Sequence, residues 1–143
     1  MEVLYKNVRR KLTEGGLPMK KDIALYLLDE DTLVHVLKQG EFRFNNITFD
    51  ETKALVTLHD HHEIQKCFSN SYIENIIYEH IGIDRNQFSY APIDELQPGE
   101  DAIVFKTYIT PSATQPIIKT DLGNEAKKIQ NIYVYCQLVT RIA

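Results

Sequence analysis

The sequence predicts one α+β domain: a mixed or mostly antiparallel sheet of about six strands with two or three helices packed on it. Three observations lead there. Short apolar or alternating runs recur between polar turns, as strands require. Two of the intervening stretches open with Thr or Ser followed three residues later by Glu, then carry apolar residues at helical spacing. The chain closes on a long alternating run, Ile132–Ile142, rather than on a helix. At 143 residues and 43% hydrophobic composition, the chain suffices for one core.

The elements follow in order. Residues 1–22 are expected as a basic lead-in, broken at Gly15-Gly16 and Pro18, ahead of a single domain over 23–143. Ile23-Ala24-Leu25-Tyr26-Leu27-Leu28 is a continuous apolar run, the pattern of a strand buried on both faces. Asp29 stands at an N-cap position; Leu33, Val36 and Leu37 follow at helical spacing, and Gly40 supplies the stop. Phe42 and Phe44 alternate with Glu41, Arg43 and Asn45 in a second strand over 41–47. Thr48 and Glu51 form a capping box for a helix with Ala54, Leu55 and Leu58 on one face. After the polar break His59-Asp60-His61-His62 comes a short strand at 63–68.

Ser71 and Glu74 repeat the capping pattern, so Ser71 is the expected cap of the next helix. Its apolar stripe is Ile73, Ile76, Ile77 and Ile81, and Gly82 ends it. Strands at about 87–93 and 102–110 flank a Pro98-Gly99 turn. Residues 111–130 contain Pro111, Pro116, Gly123 and Asn124 and are expected as a long loop, either a lid or mobile. The helices are expected on one face of the sheet.

Charge narrows the partners. Residues 1–21 carry six Lys/Arg against Glu2 and Glu14, whereas the whole chain has a net charge of −4, so the body is strongly acidic. An acidic body repels a polyanion, which argues against long nucleic acid as the main partner. A nucleic-acid arm is the alternative reading of the basic lead-in. No apolar run matches a membrane span or a signal peptide. Cys67 and Cys136 fit reduced thiols of the cytoplasm better than a disulfide framework.

Several side chains suit a small anionic ligand, each with a plainer reading beside it. Ser69, Asn70 and Ser71 offer a helix start whose free amides and hydroxyls favour a phosphate; the plain reading is a cap. Thr32 belongs to a second helix start, Asp29-Glu30-Asp31-Thr32, whose carboxylates repel phosphate but accept hydrogen bonds from ribose hydroxyls or an adenine amine. Arg85 supplies a planar fork for a phosphate, with Asn86 beside it for a base or ribose; a solvated loop is the alternative. Phe88, Tyr90, Tyr108, Tyr133 and Tyr135 are candidates to stack a base, or else core and interface aromatics. Lys106 and Arg141 face a shared pocket if two sheets meet, and otherwise face solvent.

Other chemistries find less support. His59-Asp60-His61-His62 has zinc-ligand chemistry, yet adjacent positions do not converge on one ion and no distant Cys/His pair completes a known spacing. Cys67 or Cys136 with His80 lacks the local signature of a cysteine protease, and the glycines space neither as a dinucleotide fingerprint nor as a P-loop. No cofactor and no metal is implied.

Residues 23–110, about 60% of the chain, resemble two related-looking groups of anti-defence proteins. The pieces that carry the resemblance are Leu25-Tyr26-Leu27-Leu28-Asp29-Glu30-Asp31-Thr32-Leu33, the small polar helix start Ser69-Asn70-Ser71, an Ile-Gly-Ile helix end running through Asp84-Arg85-Asn86 into a strand, and Gly99-Glu100-Asp101 before Ala102-Ile103-Val104-Phe105. They are similar to the viral ring nucleases, type III anti-CRISPR proteins that cut cyclic tetra-adenylate. They look equally like the Thoeris anti-defence proteins, phage sponges that sequester cyclic ADP-ribose isomers. Ring nucleases carry Gly-His-Asp/Glu where this chain reads Phe68-Ser69-Asn70, so their catalytic histidine is missing. Their arginine after the fifth strand falls near Thr110, and their helical C-terminal part is replaced by a strand-like one. The resemblance therefore implies a homodimeric or larger sponge for a cyclic nucleotide in the host cytoplasm, with no catalytic residue. A ring nuclease using His80 or Glu74 is the second expectation, and a viral protein-interaction module the third.

Overall fold

The computed structural model describes residues 23–81, 87–110 and 114–143. The lead-in, together with Gly82, Arg85 and Asn86, lies outside the described residues. The elements are β1 (Leu25–Asp29), α1 (Glu30–Val36), β2 (Phe42–Ile47), α2 (Phe49–Leu58), a single 3₁₀ turn (His61–Glu63), β3 (Ile64–Cys67), α3 (Ser71–Ile81), β4 (Ser89–Tyr90), β5 (Asp101–Tyr108), β6 (Ile117–Lys119), β7 (Glu125–Ile129) and β8 (Ile132–Arg141).

All eight described strands join one mixed sheet, in the order β4-β3-β1-β5-β8-β7-β6 with β2 also on β8. The β4-β3-β1-β5 half is parallel, Leu27 pairing with Lys66 on one side and with Ile103 on the other. The remainder is antiparallel. The ten-residue strand β8 holds the two halves together. One edge pairs with β5 from Asp101–Thr140 to Tyr108–Tyr133; the other takes β2 along Cys136–Arg141 and β7 along Ile132–Val134.

The α+β class and the single domain are as the sequence predicts. The strand count is larger by two, because 114–130 carries two short strands. Ile117–Lys119 and Glu125–Lys127 pair as a hairpin, and the backbone amide of Thr120 donates to the Asn124 carbonyl in its turn. A tight turn at Gln130, with φ of 55°, then feeds β8.

The helices cover both faces, not one. Leu28, Val104 and Val139 pack against Leu33 and Val36 of α1 and against Leu96. Leu25, Leu27, Ile103, Phe105, Val134, Cys136 and Leu138 pack on the opposite face beneath Leu55 and Val56 of α2 and Ile76 and Ile77 of α3. The cause lies in β1 and β5 themselves. Their consecutive side chains are apolar and point to opposite sides of the sheet, so each face requires its own cover.

Helix starts follow their local chemistry, with one exception. At α2, the Glu51 amide donates to Thr48 Oγ1 and the Thr48 amide to Glu51 Oε1, completing the expected box. Its buried face is Thr52, Leu55 and Val56, not the expected Ala54, Leu55 and Leu58, and Leu58 is 56% exposed. At α3 the cap is Asn70 rather than Ser71: Asn70 Oδ1 accepts from the amides of Tyr72 and Ile73 at 3.0 and 3.2 Å. Glu74 instead pairs with Lys66, Nζ to Oε2 being 2.8 Å. Only Ser89–Tyr90 of the expected strand at 87–93 pairs with β3.

Candidate functional site

Asp29 ends β1 and begins α1, and its carboxylate ties two helix starts together. Oδ1 accepts from the Thr32 amide at 3.0 Å, capping α1. Oδ2 accepts from the amides of Ser69 and Asn70 at 2.7 and 2.9 Å, ahead of α3. Thr32 Oγ1 and Ser69 Oγ lie 2.9 Å apart in a further hydrogen bond between the same two segments. Asp29 is 4% exposed. Burial of a carboxylate is tolerated because three amides replace the water it gives up.

Beside this tie opens a cleft of about 130 Å³. Asp29, Glu30 and Asp31 line it from the end of β1, Asn70 and Ile73 from the start of α3, and Phe105 and Thr107 from β5. It sits at the carboxyl ends of the adjacent parallel strands β1 and β5, where Asp29 pairs with Phe105. The lining is acidic, and Glu30 and Asp31 are exposed in the first turn of α1. Positive helix ends favour such carboxylates. Tyr72 Oη donates to Gln130 Oε1 at 2.6 Å, joining the start of α3 to the β7–β8 turn at this end of the sheet.

The structure brings Thr32, Ser69 and Asn70 together at this place, and Ser71 begins α3 next to them. Two of the expected phosphate donors are engaged within the chain. The Ser69 and Asn70 amides point at Asp29, and Asn70 Oδ1 caps its own helix. Arg85 and Asn86 lie outside the described residues.

The remaining expected residues lie elsewhere. Phe88 is in the core, its ring 6.1 Å from that of Tyr78, so it offers no free face to a base. Tyr133 is likewise buried, its hydroxyl donating to the Gln115 carbonyl at 2.6 Å. Tyr90 is exposed on β4. Lys106 and Tyr108 are on the sheet face opposite Phe105. Lys106 Nζ stands 5.7 Å from the centre of the Phe44 ring, and Tyr108 Oη is 3.5 Å from Asp121 Oδ1. Tyr135 pairs with Lys106 there; burial, then the charge of Glu30, raises its hydroxyl above the usual pKa.

Arg141 is at the other end of the sheet, about 15 Å from the cleft by strand rise. Its Nη1 donates to the Leu96 carbonyl at 2.5 Å and its Nε to the Ala143 carbonyl at 3.2 Å, so it fastens the chain end. Among the described residues, the expected aromatics and cations therefore do not converge on one pocket.

The candidate acid/base groups of a hydrolase are not in the cleft lining. Glu74 is engaged with Lys66. His80, in the last turn of α3, meets Phe49 edge-on, and desolvation, followed by the charge of Lys127, lowers its pKa. Around the histidine cluster, Asp60 N donates to Glu63 Oε1 and His59 Nδ1 lies 4.0 Å from the same oxygen. Among the described residues, no group of three His, Cys, Asp or Glu side chains is arranged to hold a metal. Cys67 and Cys136 are free thiols that pack with opposite faces of the sheet.

The sequence identifies Asp29 as a cap for α1 but not its larger part, and it does not single out Phe105 and Thr107 as cleft residues. The cap has a local signature, whereas a bond to amides 40 residues away has none. Among the described residues, no helix is long and apolar enough to cross a membrane. No protein-family model matches this chain, and no curated protein matches it, so the resemblance rests on the quoted residues alone.

Proposed function

We propose that this chain binds a small cyclic nucleotide signal, a cyclic ADP-ribose isomer or a cyclic oligonucleotide, and holds it without cutting, as a phage anti-defence protein in the host cytoplasm. The observation that carries the reading is the position of the cleft. It opens outside the carboxyl ends of β1 and β5; β1 is followed by α1 on one face, and the next parallel strand, β3, lies on the side away from β5. In open sheets with parallel strands, nucleotides and related metabolites occupy that kind of crevice. The rim carboxylates and Thr107 offer acceptors for ribose hydroxyls and a base amine.

Holding is favoured over cutting because neither Glu74 nor His80 lines the cleft. At about 130 Å³, it is smaller than a site that encloses a whole dinucleotide. A second copy of the chain is therefore part of the proposal, each copy completing the other's pocket. Lowering the free signal by mass action then suffices for function.

The test is calorimetry of the full chain against a panel of cyclic nucleotides, followed by denaturation and mass spectrometry of the recovered ligand. Heat of binding and an intact ring are expected. No heat with any member of the panel sinks the reading, and linear products replace it with the ring-nuclease one.

A further inference from the structure

We propose that Asp29 is the specificity-determining residue of this cleft: its carboxylate is a resident anion, occupying the place that a ligand's phosphate would take at the start of α3. The inference rests on reading the cleft as a nucleotide site, and it adds which part of the ligand enters. A phosphate at a helix start is held by backbone amides and by the positive end of the helix. Here the two amides that precede α3 donate to Asp29 Oδ2 at 2.7 and 2.9 Å, and Asn70 Oδ1 accepts from those of Tyr72 and Ile73. A phosphate arriving there meets the full charge of a carboxylate that is 4% exposed and held by three amides, with Glu30 and Asp31 on the rim. Two anions in such a small volume repel strongly, because little water screens them.

The ligand therefore enters by its uncharged, hydrogen-bond-donating parts, a vicinal diol or an exocyclic amine. Its phosphates remain outside the Ser69–Asn70 amides. Asp29 acts by excluding charge and by fixing the two helix starts, not by reacting.

The test uses inorganic phosphate titrated into ¹⁵N-labelled wild type, Asp29→Ser and Asp29→Asn, reading the Ser69 and Asn70 amide resonances. Serine keeps an N-cap oxygen for α1 and so preserves the helix start. The wild-type amides are expected not to saturate, while Asp29→Ser gains saturable phosphate binding at least roughly tenfold tighter. Equal affinity in wild type and variant overturns the proposal, as does a folded Asp29→Ser without the gain.

Should both variants unfold, the wild type decides alone. Adenosine and its 5′-monophosphate are expected to bind within about threefold of each other. A preference of more than roughly tenfold for the monophosphate overturns the proposal. If no nucleotide binds at all, the proposed function fails, and the phosphate titration of the wild type then decides the role of Asp29: saturation of the Ser69 and Asn70 amides overturns it, and no saturation agrees with it.

Discussion

The hydroxyl of Thr140 donates to Asp101 Oδ1 at 2.5 Å across the β5–β8 ladder, where the two residues are direct partners. The other carboxylate oxygen, Oδ2, is buried without a hydrogen-bond partner among the described residues. Desolvation outweighs the Thr140 bond and raises the pKa of Asp101 from 3.8 to about 6.

The sign of the stability effect follows. An acid whose folded pKa exceeds its unfolded one binds its proton more tightly when folded, so stability falls as pH rises from about 4 to 6 and stays lower above that. Asp101→Asn removes this loss. Relative to wild type, the variant is expected to gain stability by about 2–3 kcal/mol on going from pH 3 to pH 8. Urea unfolding of both proteins across that range is the measurement; a pH-independent difference contradicts the assignment.

Lys66 and Glu74 pair at 2.8 Å with side chains only 13% and 14% exposed, and Lys66 Nζ also lies 5.4 Å from the centre of the Tyr78 ring. Removing one partner leaves the other charge poorly solvated. Glu74→Ala is expected to destabilise the fold by about 2–3 kcal/mol. A double-mutant cycle with Lys66→Ala should return a coupling of about 1–3 kcal/mol. On the proposed function, Glu74→Gln leaves any bound cyclic nucleotide intact and its affinity within about twofold of wild type; loss of a cleavage activity would instead make Glu74 catalytic.

Gly40 adopts φ of +105°, and a Cβ there would fall 2.5 Å from Arg141 Nε and 2.8 Å from the Ala143 carbonyl oxygen. Gly40→Ala combines backbone strain with displacement of the Arg141 fastening. Its expected cost is about 2–4 kcal/mol in unfolding free energy. Deleting Ala143 in the same protein should recover part of that cost, since one of the two obstacles goes. A neutral Gly40→Ala contradicts the close approach.

The legible parts of this fold are those with local causes. The Thr48–Glu51 box was readable because both bonds span three residues. The run Ile23–Leu28 announced a strand covered on both sides, and the two core clusters follow from it. The cap of α3 is Asn70 and not the expected Ser71, because both are good caps and only the backbone path selects between them. The β6–β7 hairpin went unread because Glu125-Ala126-Lys127-Lys128-Ile129 is charged and short, and only Ala126 and Ile129 in it are buried. The turn into β8 is Gln130-Asn131, a pair with a weaker turn signature than Asn-Gly.

The site divides in the same way. Thr32, Ser69 and Asn70 were recognisable as helix-start residues, since small polar side chains before an apolar stripe have few other uses. That Asp29 would fill the start of α3 was not recognisable, and neither was the distance of Arg141 from the cleft or the turning of Lys106 toward Phe44 on the other sheet face.

By itself the sequence determined the caps of α1 and α2, the apolar stripes of α1 and α3 and the buried central strand, because hydrogen bonds and spacing within a few residues settle them. Only the tertiary structure decided which strand ends meet, which amides receive the Asp29 carboxylate and which cations are spent on fastening the chain. Those outcomes depend on segments distant in sequence competing for the same few donors, and the competition is settled only when the sheet has assembled.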